Sequence, residues 1–372
     1  MKILIAGDFC PQHRVAAIFE KEKYELVLSE VQSVISETNY SIVNLECPIV
    51  TSSAIPIEKK GPNLHCTPNV VNALKYAGFN CVTLANNHFR DYGDDGIFET
   101  LSNLDACGID HVGGDVDATK ANNVLYKSIE NQTLAIINCC EHEFSIASST
   151  QAGSNPLNPV QQYYTICEAR QNADYVLVIV HGGHEHFQLP SPRMVETYRF
   201  FVDAGADAVV NHHQHCFSGY EVYKGKPIFY GLGNFCFDRK DMQNGIWTEG
   251  YMIIFDFFDS NISFNLRPYR QCAINPNIEL LPKNAFDTQL TKLNAIIADR
   301  EILNDAIYNY FTSNGEQHSN IFEPIMNRYY LAAKHRGWLP SLLSKKRRLA
   351  ATNYILCEAH RDILIHWLNK QN

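Results

Sequence analysis

Apolar residues fall in short runs that stop at polar ones. The spacing within and between the runs predicts alternating strands and helices. A first strand is expected over 2–6, ending at Gly7-Asp8. Leu26, Val27, Val31, Val34 and Ile35 follow helical spacing, and residues 41–45 read as a strand ending at Glu46. A helix over 69–77 should stop at Gly78, followed by a strand over 80–84 that ends at Asn86-Asn87-His88. A helix over 96–107 leads to strands near 109–112, 124–129 and 133–138. Residues 145–159 are polar and read as a long loop, open to motion. A helix follows, then a clear strand over 175–180 ending at His181, a helix over 192–204, and a strand over 208–210 ending at Asn211-His212-His213. Beyond Ser218 the period changes to two, with strands near 220–223, 227–230, 251–257 and 262–266. From Asn284 onward the pattern is helical. These elements predict an α/β chain with mixed sheets flanked by helices.

Composition narrows the classes. Of 372 residues, 45% are hydrophobic and 19% charged, which excludes wholesale disorder. No apolar run approaches the ~18–20 residues of a membrane helix. Lys and Arg number 31 against 40 Asp and Glu, a net charge of -9, which argues against a general nucleic-acid binder. Twelve cysteines are scattered without a CxxC pair, so they read as reduced, buried thiols. The apolar N-terminal run is too short for a signal segment, and the expected location is the cytoplasm. Lys345-Lys346-Arg347-Arg348 reads as a solvated helix face in preference to a polyanion site.

The polar residues are informative by position. Asp8, Glu46, Asn87-His88, His181 and His213/His215 each follow closely on an apolar strand. In α/β sheets, ligands collect beyond the carboxyl ends of the strands. Each cluster alone has a plain reading as a turn, a helix cap or an idle surface group. Five in the same strand-end position point instead to one site. Carboxylate, amide oxygen and imidazole suit Zn, Mn or Fe(II), and such a metal would polarise a substrate oxygen and acidify a bound water. In Gly231-Leu232-Gly233-Asn234-Phe235 the glycines either admit close backbone approach or form an ordinary hairpin turn. There is no GxxxxGK[ST] loop and no GxSxG elbow.

Taken in order, these motifs resemble the bacterial capsule-synthesis family CapA (also called PgsA), the poly-γ-glutamate capsule group. The motifs are Gly7-Asp8, Asn44-Leu45-Glu46-Cys47-Pro48, Leu84-Ala85-Asn86-Asn87-His88 with Asp91-Tyr92-Gly93, His181-Gly182-Gly183-His184-Glu185, Asn211-His212-His213-Gln214-His215 and Tyr230-Gly231-Leu232-Gly233-Asn234-Phe235. The likeness spans about residues 1–260. That family is similar to calcineurin-like metallophosphoesterases. The resemblance therefore implies a four-layer α/β/β/α sandwich over 1–282, with a helical C-terminal extension over 283–372.

It also implies metal ligands at Asp8, Glu46, Asn87, His181, His213 and His215, holding one or two divalent ions. His88 and Glu185 are the implied catalytic residues: His88 protonates a leaving group or steadies an oxyanion, and Glu185 holds a water or a substrate amine. Asn44, Asn86, His184, His212 and Asn234 are the implied substrate contacts. Cys10 stands where the metallophosphoesterase pattern has a histidine, and His212 where glycine is usual. Two functions follow as expectations. One is a metal-dependent hydrolase of a phosphoester or related bond, linked to capsule or exopolymer biosynthesis. The other is a non-catalytic binding or assembly factor for the capsule polymer. The expected partner is a small-molecule or polymer substrate, with no nucleic acid and no membrane segment.

Overall fold

The computed structural model describes residues 1–356 except 52, 60, 259, 260, 320–322 and 324. Among these residues sixteen strands run in chain order: β1 (Lys2–Phe9), β2 (Tyr40–Leu45), β3 (Cys81–Thr83), β4 (Asp110–Val112), β5 (Gly114–Asp115), β6 (Leu125–Ile129), β7 (Gln132–Cys140), β8 (Gly153–Ser154), β9 (Tyr175–His181), β10 (Ala208–His212), β11 (Tyr220–Tyr223), β12 (Lys226–Phe229), β13 (Asn234–Cys236), β14 (Glu249–Phe258), β15 (Asn261–Gln271) and β16 (Ile278–Leu280). Eleven α-helices accompany them: α1 (His13–Phe19), α2 (Glu25–Ser36), α3 (Asn69–Ala77), α4 (Gly93–Ala106), α5 (Ala118–Ala121), α6 (Pro159–Asn172), α7 (Pro192–Ala204), α8 (Asp287–Ala298), α9 (Arg300–Ser319), α10 (Arg328–His335) and α11 (Lys345–Leu356).

Two sheets stack face to face. The larger has the order β16-β15-β14-β1-β2-β3-β4, with β13 also pairing β1. The smaller has the order β11-β12-β10-β9-β7-β6. Strands β1 to β4 are parallel, as are β7, β9, β10 and β12. Strand β9, Tyr-Val-Leu-Val-Ile-Val-His, is buried at every position, which is why it reads as one continuous apolar run. On the larger sheet's outer face, α1 to α4 contribute Val15, Leu28, Leu74 and Leu104 to a core shared with Val43 and Val82. Helices α6 and α7 cover the smaller sheet. Between the sheets Tyr175 meets Phe257 with ring centroids 4.7 Å apart, and Phe229 meets Phe255 edge-on at 5.8 Å. Phe229, Phe255 and Phe257 are fully buried. Each contributes about 1.5–3 kcal/mol by leaving water. The result is the expected α/β/β/α sandwich.

Local signals place the helix ends. Gly78 takes the left-handed conformation that stops α3, at φ +96°. Ser191 caps α7 by accepting from the Met194 N–H, and Pro192 opens it. Asn158 caps α6 in the same way.

The stretch read as a long loop, 145–159, is tied down over much of its length. Strand β8 pairs with β5, and the buried Ser154 Oγ donates to the carbonyls of Leu84 and Asn86. Its polar residues therefore bond to protein, which composition alone does not reveal. Strand β13 begins inside the glycine motif, at Asn234.

The chain divides into two compact units, Met1–Leu303 and Asn304–Asn372. Helix α8 belongs with the first: its Asn294 accepts from the Tyr220 N–H at 2.7 Å, and Phe286 just ahead of it stacks on Phe217 at 4.5 Å. In the second unit, a buried Glu323 accepts from the Leu342 N–H at 3.1 Å and pairs with Lys334 at 3.2 Å. All eleven cysteines among the described residues are free thiols, nine of them buried. Among the described residues no helix is long and apolar enough to cross a membrane.

Candidate metal centre

Register brings the polar strand ends together. In the β1–β2 pair Asp8 stands opposite Asn44, and Asn44 Nδ2 donates to Asp8 Oδ1 at 2.8 Å. In the β9–β10 pair His181 stands opposite His212. Strand β13 sets Asn234 opposite Asp8, and this pairing depends on glycine. A Cβ on Gly7 would lie 1.9 Å from the carbonyl oxygen of Gly233, which accepts the Asp8 N–H at 3.2 Å. Of the two readings open for the glycine motif, close backbone approach is the one found.

Around Asp8 and Glu46 lie four buried histidines, His181, His212, His213 and His215. His213 and His215 have positive φ values of 90° and 54°. Non-glycine residues hold such conformations at a cost of about 1–3 kcal/mol each, and such strain gathers at functional sites. Two donor groups result: Glu46, His181 and His213, and Asp8, Glu46 and His215. Within each, one ligand atom per residue lies within 4.8 Å of the others. Glu46 belongs to both. Its Oε1 is 3.6 Å from His181 Nε2 and 3.6 Å from His215 Nε2. His213 Nδ1 is 3.1 Å from His181 Nε2, and Asn87 Oδ1 is 3.1 Å from the same nitrogen. The six residues expected as ligands thus converge.

Glu46 is fully buried, and neither carboxylate oxygen has a hydrogen-bond partner. Burial, then the charge of Asp8, holds its carboxyl well above the ordinary range. Burial pushes the Asp8 carboxyl up as well, but the His212 contact and the charges of His212, His181 and His215 outweigh it, and the net direction is down. Burial, then the neighbouring His213, lowers His181 well below its usual value, and burial lowers His215 to about 4. A buried carboxyl with no hydrogen-bond partner, among imidazoles biased toward neutrality, is a group of donor atoms that could hold a cation.

The other expected residues divide by position. Asn44 accepts from Thr83 Oγ1 at 3.2 Å; Asn86 donates to the Leu45 carbonyl at 2.9 Å and accepts the His88 N–H. Asn234 Oδ1 sits 2.9 Å from His215 Nδ1, and its amide donates to the His215 and Trp247 carbonyls. These three are buried and bond to protein groups. His212 Nδ1 lies 3.4 Å from Asp8 Oδ1, and neither ring nitrogen has a hydrogen-bond partner. His184 is half-buried on the turn after β9, and Glu185 beside it is half exposed. Burial tends to raise the Glu185 carboxyl, but the charges of His215, His213, His186 and His88 bring it below the usual range. Cys10, at the usual histidine position, is fully buried and accepts from Gln12 Nε2 at 3.4 Å.

His88 brings in a partner that sequence reasoning missed. Its Nδ1 is 2.7 Å from Asp91 Oδ2 and 3.2 Å from Lys59 Nζ, and Lys59 also pairs with Asp91 Oδ1. The Asp91 side chain is fully buried and that of Lys59 nearly so. Asp91 stands in a quoted motif, but Lys59 sits in an aperiodic segment between β2 and α3, and no pattern marks it.

A family model described as "Bacterial capsule synthesis protein PGA_cap" matches residues 2–239. The capsule biosynthesis protein CapA of Bacillus anthracis is 32% identical over 308 residues, 78% of this chain and 73% of that protein. The PGA biosynthesis protein CapA of Bacillus subtilis (strain 168) is 30% identical over 236 residues, 63% of this chain and 62% of that protein. A probable polyglutamine synthesis accessory protein of Mycobacterium tuberculosis is 26% identical over 210 residues, 53% of this chain and 55% of that protein. Among solved structures, a hypothetical protein from Thermus thermophilus superposes with a TM-score of 0.48 at 15% identity, covering 76% of this chain and 100% of that one. A 5'-nucleotidase precursor from the same organism gives 0.42 at 10% identity, covering 78% and 57%. Likenesses at that level carry no argument about activity.

Proposed function

The chain belongs to the bacterial capsule synthesis protein family, and from that premise we propose that it is a metal-dependent hydrolase of a phosphoester or related bond in capsule or exopolymer biosynthesis. The polymer would be poly-γ-glutamate or a polysaccharide. One observation carries the reading: Glu46 is fully buried, both its oxygens lack a partner, and it belongs to two overlapping donor groups. Leaving such a carboxylate uncompensated is costly, and a cation is the direct remedy.

The donor set fits Zn, Mn or Fe(II). Asp8, Glu46 and His215 would hold one ion, and Glu46, His181 and His213, with Asn87 beside them, a second. When bound, such a metal supplies Lewis-acid polarisation and an acidified water. The chain's own residues do the rest. Asn44 and Asn234 orient Asp8 and His215 through the bonds already given, as outer partners commonly orient metal ligands. Asp91 and Lys59 occupy the Nδ1 side of His88, which leaves Nε2 as the atom that exchanges a proton with a leaving group. His184 and Glu185, at the rim, would meet the substrate first.

The test is elemental analysis of protein purified without chelators, with Glu46→Gln and His213→Ala beside it. The wild type should hold about one or two equivalents of metal, lost with turnover in both variants while the fold is kept. A wild type that takes up no metal on reconstitution would overturn the reading. The word "accessory" in the Mycobacterium tuberculosis relative's name favours a second reading, a binding or assembly factor. On that reading both variants keep polymer binding, and no turnover is found in the metal-loaded wild type.

A further inference from the structure

The second compact unit carries a feature unrelated to the metal centre. Between Ile325 and Leu356 the sequence has seven Lys and Arg and no Asp or Glu, in a chain of net charge -9. Six of the seven cations, Arg328, Arg336 and Lys345 to Arg348, are exposed; Lys334 pairs with Glu323. Lys345 to Arg348 occupy the first turn of α11, which holds no acidic residue. The helix dipole disfavours cations at that end, so helix stability does not account for them. Four consecutive residues at about 100° each sweep a whole turn, so cations flank the helix start on every side.

Apolar groups stand beside them. Trp338, Leu339 and Leu342, in the connection between α10 and α11, are 71%, 44% and 44% exposed. The connection is built, with Glu323 accepting from Ser341 Oγ and the Leu342 N–H, and Tyr330 Oη donating to the Pro340 carbonyl at 2.9 Å. Arg336 lies over the Trp338 ring at 5.2 Å, which puts a cation against the exposed indole. A tryptophan and leucines raised among lysines and arginines match an anionic membrane surface: the apolar groups enter the headgroup boundary while the cations meet lipid phosphates. A soluble polyanion would use the cations and leave the indole and leucines in water.

We propose that the region from Arg328 to Arg348 docks this protein on anionic phospholipid. The test is co-sedimentation of the full chain with phosphatidylcholine vesicles, with and without phosphatidylglycerol, at low and high salt. Binding should require phosphatidylglycerol and weaken with salt. Replacing Lys345, Lys346, Arg347 and Arg348 together by Gln should weaken it by about a hundredfold or more. Trp338→Ser with Leu339→Ser should remove the part that survives high salt. These positions are exposed, and an unchanged thermal transition confirms that the fold is kept. Equal binding to both vesicle types overturns the proposal. So does wild-type binding by both variants. Dextran sulfate bound as tightly as the vesicles, with the apolar variant unaffected, identifies a polyelectrolyte site and overturns it too. The readout is binding, so it stands or falls independently of turnover and metal content.

Discussion

At the residue scale, Glu46 and its histidines set opposite pH demands on the metal-free protein. Glu46 is raised, so it favours the fold while protonated, and that contribution is lost as pH rises. His215 is lowered to about 4 from 6.5, so between those values the unfolded chain binds the proton and the fold does not. Its contribution is intact above 6.5 and lost as pH falls toward 4. In metal-free Glu46→Gln the first demand is absent. The Tm of that variant should fall as pH is lowered from 6.5 to 4, read by thermal unfolding across pH. A Tm that rises over this window would contradict the burial of a neutral His215.

At the element scale, the site depends on how closely β13 approaches β1. Gly7→Ala would place a methyl group against the Gly233 carbonyl, and one strand would have to move. Overpacking of this kind costs about 1–3 kcal/mol, and the shift would carry Asp8 and Asn234 with it. The expected outcome is a lower denaturation midpoint together with weaker metal retention, followed by chemical unfolding and elemental analysis. A stability loss with full metal retention would show that the β1–β13 approach does not position the donors.

At the scale of the whole molecule, the metal centre and the basic region lie in different compact units. All the ligand candidates, and both sheets, fall within Met1–Leu303. A chain ending at Leu303 should therefore unfold cooperatively and bind metal with wild-type stoichiometry, as measured by calorimetry and elemental analysis. Loss of metal in that shortened chain would mean that the C-terminal residues complete the site.

Much of the fold was legible because apolar runs ending in Asp8, Glu46, Asn87-His88, His181 and His213 mark parallel strands with polar residues at their carboxyl ends. Those residue types at those ends marked the candidate donors before any geometry was known. Sequence order carries no distance, so it took the tertiary structure to decide that Glu46 is shared by two donor groups and that Asn44, Asn86 and Asn234 bond to protein groups. Lys59 was invisible for the same reason: its role comes from a contact with His88 and Asp91 across 29 and 32 residues of chain, and no local period records it. The tying down of 145–159 and the exposure of Trp338 are also tertiary facts. Whether a polar or apolar side chain meets water or protein depends on what packs against it.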